Sequence, residues 1–207
     1  MKNRYFIALL MMMLFCGNIP AQNLRELFVN MPTELLPLLR ENDRLDLIDL
    51  YDAKMNIQVT NRLDGKSTIK ELTGDYLLLS LSPSSSMQMK MLPSHNGDTL
   101  LCVVNTVTAE AADSRIRLYT KDWQPVDEVF FTPPSIADFF TPSDSVDELL
   151  DLADIYLVEL KLSAEDNTLV AEYTVPQYMT KEDAERVLPF LRKRVYAWDG
   201  KKFQYNN

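Results

Sequence analysis

Residues 76–108 read YLLLSLSPSSSMQMKMLPSHNGDTLLCVVNTVT. Asn96-Gly97 stands between two apolar-rich runs, Met87–Leu92 and Thr99–Thr108, and Asn-Gly supplies the positive φ angles that a tight hairpin needs. Working upstream, Tyr76–Ser82 follows Gly74, and Asn56–Arg62 and Ser67–Leu72 flank Asp64-Gly65. Each run carries a period of two, so the segments read as successive strands of an antiparallel meander. Downstream, Arg115–Thr120, with Ile116 and Leu118, adds a further strand before a turn at Trp123. Ser82-Pro83-Ser84-Ser85-Ser86 reads as the flexible loop of one hairpin.

The flanks change grammar. Leu24–Asp52 has helical spacing, interrupted near Pro37, with Asn42 as the natural cap of its second part. There Leu47, Ile48, Leu50 and Tyr51 share one side, and Asp46, Asp49 and Asp52 the solvated other. Phe130-Phe131-Thr132-Pro133 recurs as Phe139-Phe140-Thr141-Pro142, a proline-broken connector bearing aromatics. Beyond it, Ser143 or Asp144 caps a helix to Ala153. Ile155–Ser163 and Thr168–Val175 form a hairpin, Thr180 starts a helix, and Val195–Trp198 and Lys202–Tyr205 close across Asp199-Gly200. The reading is α+β: a mainly antiparallel meander sheet packed with a few helices. Arg117-Leu118-Tyr119 before Trp123 and Arg194-Val195-Tyr196 before Trp198 hint at two related sub-halves. The expected organisation is a signal peptide over 1–21, N-terminal helices plus meander over 22–128, a connector over 129–143, and an α+β part over 144–207. The last part is expected to pack on the first as one globule.

Lys2 and Arg4 precede the apolar run Phe6–Phe15, followed by Ile19, Pro20 and Ala21, the pattern of a cleaved secretory peptide cut before Gln22. The run falls short of the about 20 apolar residues of a membrane helix, and no later segment comes closer. Lipidation at Cys16 is the competing reading, weakened by Phe15 where a small residue is usual. Removing Lys2 and Arg4 takes Lys+Arg from 21 to 19 against 30 Asp+Glu, so the net charge moves from −9 to −11. Such a balance argues against nucleic acid and against anionic lipid. Once Cys16 is gone, Cys102 is left alone in an apolar run, a core thiol with no disulfide partner.

Chemistry is sparse. The mature glycines, at 65, 74, 97 and 200, all fall in turns, so no phosphate-binding loop can be assembled. The sole histidine, His95, sits at a hairpin tip, and one histidine with one cysteine cannot build the usual zinc sites. Asp144, Asp147, Glu148 and Asp151 lack the spacing of a calcium loop. No cofactor or metal is expected. The residues left to line a ligand groove are Trp123, Phe130, Phe131, Phe139, Phe140 and Trp198, for which the competing role is sealing a joint inside the fold.

Several segments together resemble a known family. They are Met31-Pro32-Thr33-Glu34-Leu35-Leu36-Pro37, Asn42–Asp49, Leu63-Asp64-Gly65-Lys66-Ser67, Thr73–Leu77, Lys90-Met91-Leu92-Pro93, Cys102-Val103-Val104 and Asp113-Ser114-Arg115-Ile116. The chain resembles the exported domain-of-unknown-function 3256 family, found mainly in Bacteroidales. The likeness covers most of the mature chain and weakens after Phe140. It implies the periplasm or cell surface of a Gram-negative anaerobe and carries no activity or catalytic residue with it. The expected function is a non-catalytic binding or interaction protein whose partner is a protein, peptide or glycan. The alternatives are a carboxylate-based hydrolase acting on extracellular glycan, which needs two acids across a cleft, and an inhibitor or accessory subunit of an envelope complex.

Overall fold

The computed structural model describes residues 23–142 and 146–206. The expected signal peptide, Cys16 and the caps Ser143 and Asp144 lie outside the described residues. The meander is present as β1 (Val59–Thr60), β2 (Lys66–Leu72), β3 (Tyr76–Ser82), β4 (Ser85–Pro93), β5 (Thr99–Thr108) and β6 (Ala112–Thr120), each paired antiparallel with the next. Asn56–Arg62 contributes only the two residues of β1. The serine-rich loop is tighter than expected: only Pro83-Ser84 lie outside the strands, and the Ser82 and Ser85 hydroxyls meet at 2.7 Å.

Along β5, Leu101 and Val103 face one way and Cys102 and Val104 the other, and all four are buried. A strand that is apolar on both sides needs cover on both faces of its sheet. One cover comes from α1 (Leu24–Val29) and α2 (Glu41–Asp52), whose Leu24, Leu27, Phe28, Leu47 and Ile48 pack against Leu77, Leu79, Met87 and Met89. The cap of α2 is not Asn42: the chain enters the helix at Arg40, whose backbone N–H donates to the Asp43 carboxylate at 2.8 Å. Within α2, Arg44 is 1% exposed. Its Nε and Nη2 donate to Val29 O at 3.0 and 2.8 Å, Nη2 to Met31 O at 2.6 Å and Nη1 to Leu39 O at 2.9 Å. One guanidinium thus satisfies the carbonyls that α1 and the following turns leave without helical partners.

The other cover is a second sheet. β7 (Val158–Leu162), β8 (Thr168–Tyr173), β9 (Arg194–Trp198) and β10 (Phe203–Tyr205) pair antiparallel in the order β10-β9-β8-β7. α3 (Val146–Asp151) precedes this sheet and α4 (Lys181–Val187) enters between β8 and β9; Thr180 caps α4, its hydroxyl accepting from Asp183 N at 3.2 Å. The fold is therefore α+β with two open antiparallel sheets, of six and four strands.

The two sheets meet at the outer edge of β7. Val158 N donates to Asp113 Oδ1 at 3.4 Å, Leu160 N to Ser114 Oγ at 3.0 Å and Leu162 N to Gln88 Oε1 at 2.8 Å. Gln88 Nε2 donates back to Leu160 O at 3.0 Å. Side chains rising from β4 and β6 thus occupy the places of a missing neighbouring strand, and the edge is buried without being left unpaired. Lys90, 1% exposed, belongs to the same joint through Asp75 at 2.9 Å and the Ala164 carbonyl at 3.4 Å.

The two Arg-x-Tyr segments sit differently in their sheets. Trp123 lies beyond β6 at φ 59 and its Tyr119 faces the helices, whereas Trp198 lies within β9 and Tyr196 faces the inter-sheet core.

Candidate functional site

After β6 the chain reverses at Trp123, which donates its backbone N–H to Thr120 O at 3.0 Å. It returns beside β6 only briefly: Thr120 N donates to Gln124 O at 2.9 Å and Val126 N to Leu118 O at 2.9 Å. It then crosses to the second sheet, where Phe130 O accepts from Phe203 N at 2.8 Å. The connector therefore closes part of the β6 edge and part of the β10 edge in one passage. Pro133 and Pro134, which cannot donate to a ladder, end this pairing.

A tight turn over Ile136–Phe139 follows, in which the Asp138 carboxylate accepts from Ser135 N at 2.8 Å and Ser135 Oγ at 2.7 Å. These Ser135 bonds hold the Asp138 carboxyl below the usual carboxylate range.

The crossing separates two concavities. The first, about 280 Å³, lies under the hairpin tips and is lined by His95, Leu100, Leu118, Val126, Phe130 and Lys201, among others. The second, about 290 Å³, lies between the β6 edge and β7 and includes Ile116, Phe131, Pro133, Tyr156, Val158 and Leu160. Ser114, Arg115 and Arg117 complete its rim. Its wall is braced from behind: Phe131 meets Tyr196 edge-on at 5.2 Å and Phe203 at 6.4 Å. Tyr196 in turn meets Tyr205 at 5.7 Å, and the Arg194 guanidinium lies 3.2 Å from the Tyr205 ring centre.

The six aromatics singled out from the sequence do not share one surface. Phe130 reaches the first concavity and Phe131 the second. Phe139 and Phe140 are 0% and 1% exposed and pack against Tyr173 in the inter-sheet core. Trp198 is 9% exposed and donates Nε1 to the Pro93 carbonyl at 2.6 Å. Trp123, 7% exposed, lies tilted against Tyr119, ring centres 5.6 Å apart, in the opposite core beneath the helices. Sealing joints inside the fold is thus what four of the six do.

His95 is exposed, and its ring lies against Gly200, whose carbonyl accepts from His95 N at 3.1 Å. Cys102 is fully buried, and burial pushes its thiol far above the usual range, so it stays protonated. Among the described residues no three His, Cys, Asp or Glu side chains converge as a metal site. No helix among them is long and apolar enough to cross a membrane.

Tyr156, Arg115, Ile116 and Arg117 were not singled out by sequence reasoning. Tyr156 is 44% exposed, and partial burial, with Tyr196 nearby, pushes its phenol upward. Arg115 and Arg117 are exposed, and neither has an acidic partner among the described residues. A usable signal existed: two arginines at i and i+2 on the last strand of a meander, the position where charge guards an open edge.

Comparison with known proteins bears on kinship. A solved structure, described as a domain of an uncharacterised protein from Porphyromonas gingivalis W83, superposes with a TM-score of 0.76 at 27% identity, over 88% of this chain and 97% of that one. No curated protein matches the chain. The family described as protein of unknown function (DUF3256) matches residues 17–203. With that much of its length matched, the chain belongs to the DUF3256 family.

Proposed function

We propose that this protein is a non-catalytic binding or interaction module of the periplasm or cell surface, and that it takes its ligand in the concavity beside Phe131. The observation that carries the reading is the make-up of that hollow. Ile116, Phe131, Pro133 and Val158 supply apolar wall, Tyr156 a hydroxyl, and Arg115 and Arg117 unpaired positive charge at the rim. Recognition sites join an apolar surface to a few placed polar groups in this way. At about 290 Å³ the hollow is at the small end of ligand pockets, suited to one or two side chains or a sugar-sized fragment. Export is supported by the basic residues Lys2 and Arg4 ahead of the apolar run Phe6–Phe15.

Two measurements test the reading. Amide chemical-shift mapping with short peptides and oligosaccharides should perturb Ser114–Arg117, Phe131 and Tyr156, and Tyr156→Ala should remove the response. Perturbations confined to another surface, or cleavage of any oligosaccharide on incubation, would overturn it. Fractionation of the source bacterium, followed by N-terminal sequencing, should find the protein outside the cytoplasm and starting at Gln22; a cytoplasmic protein retaining Met1 would remove the envelope part of the proposal.

A further inference from the structure

Resting on the reading of the Phe131 hollow as the ligand site, we infer that the ligand is an extended acidic peptide of another protein, which adds as a strand to the open stretch of β6 at Ser114–Arg117. Val126 N bonds Leu118 O, so the peptide groups of Leu118 point away from β5, and the period of two turns those of Ile116 the same way. Residues 124–126 cover this edge beside Leu118 and Thr120, and the Asp113 and Ser114 side chains are taken by β7. Between these two covers, no hydrogen bond from the described residues reaches the outward N–H and C=O of Ile116. An open strand edge beside an apolar pocket is the arrangement that takes up a peptide by β-addition, with backbone bonds for affinity and pockets for alternate side chains.

Side chains specify the occupant. Ser114 and Ile116 lie on the side of the hollow, so an added strand would set every second residue against Phe131, Pro133 and Tyr156, where an apolar side chain fits. The residues between them would run beside Arg115 and Arg117. These are exposed and lack carboxylate partners among the described residues, in a chain where acidic residues outnumber basic ones 30 to 21. Acidic residues complement them. A second copy of this chain fits badly, because two β6 edges paired antiparallel would bring the arginines of both copies together.

The test is fluorescence anisotropy of the purified protein with labelled hexapeptides of alternating glutamate and valine. The glutamate–valine peptide should bind, and its lysine–valine counterpart should bind about tenfold more weakly or not at all. N-methylation of the valines removes the N–H groups that face Ile116 and should weaken binding about tenfold, whereas N-methylation of the glutamates should leave it nearly unchanged. Ile116→Pro deletes the outward donor without touching the β5 ladder and should reproduce the valine-methylation loss. Reversing both arginines, with Arg115→Glu and Arg117→Glu, should turn the preference toward the lysine peptide.

Equal weakening by the two methylation patterns, or equal affinity for the two charge types, would overturn strand addition by an acidic partner. Failure of all hexapeptides, with other fragments still perturbing Phe131 and Tyr156, would overturn this inference alone. If no fragment perturbs the hollow, the underlying site reading fails as well.

Discussion

The side-chain amide of Gln88 is bonded to the backbone of Leu160, 72 positions away, with Nε2 donating to the Leu160 carbonyl at 3.0 Å. Its Oε1 accepts from Leu162 N at 2.8 Å, so one glutamine amide stands in for a strand residue between the two sheets. Gln88→Leu should strand a buried carbonyl and a buried N–H together. A loss of about 2–4 kcal/mol in denaturant unfolding is expected. A loss below about 0.5 kcal/mol would show that the Gln88 bonds contribute little to joining the sheets.

Arg44 holds the turn-rich segment between α1 and α2 by donating to Val29, Met31 and Leu39 carbonyls. Burial pulls its guanidinium pKa down, opposed by Glu41 and Asp43, yet an arginine retains its charge. Arg44→Met keeps much of the length and removes every donor, and should cost about 3 kcal/mol or more. Arg44→Lys should rescue little, because an ammonium cannot present the planar fork to three carbonyls. Thermal melting of the two variants beside the parent checks both statements.

The β4–β5 hairpin tip rests on the β9–β10 turn. Gly200 has φ 98, and a Cβ there would lie 2.9 Å from the His95 ring. Gly200→Ala should therefore combine backbone strain with a collision, for about 1–3 kcal/mol in total. Adding His95→Ser should restore the collision part only. Full recovery in the double variant would mean that the backbone at Gly200 carries no strain.

The pH dependence of stability has a definite sign at each end. Cys102 is protonated in both states below the ordinary thiol value; above it the unfolded chain ionises while the buried thiol does not, so stability falls as pH rises. Tyr76 and Tyr173, both pushed up to about 12 by burial, add to the same alkaline loss. At the acid end, Asp199 is held at about 2 by Lys202 N, the Gln204 amide and Lys201 N. Its contribution is complete above the ordinary aspartate range and is lost as pH falls through about 2. Cys102→Ala should flatten the alkaline limb of a stability–pH curve and Asp199→Asn the acid limb. In the native state near neutral pH, Cys102 should also stay unreactive toward a thiol reagent until the protein unfolds.

Period-two runs and turn dipeptides made the meander readable. Tyr76–Ser82 and Thr99–Thr108 have in the structure the limits drawn from the sequence, because both are local signals. Asn56–Arg62 was overextended: its pattern suits a strand, but only Val59 and Thr60 find partners on β2. The N-cap of α2 is Arg40 and not Asn42, and the carboxylate that meets its free N–H is that of Asp43 in the first turn: acid or amide near a helix start can do this, and geometry chooses. The aromatic candidates divided for a similar reason. Phe130 and Phe131 are neighbours in sequence, yet they reach different hollows, because the connector is extended where it crosses from its bond to Leu118 to its bond with Phe203, and successive side chains of an extended segment point to opposite sides.

The sequence by itself determined the elements, the turns between them, the acidic balance and the core place of Cys102, all of which follow from neighbours along the chain. Only the tertiary structure decided that the last four strands form a second sheet, and that Gln88, Asp113 and Ser114 receive its β7 edge. It alone brought Arg115, Ile116, Phe131 and Tyr156 around one hollow. These relationships join residues tens of positions apart, and their energies exist only once two surfaces have excluded water between them, so no local pattern records them.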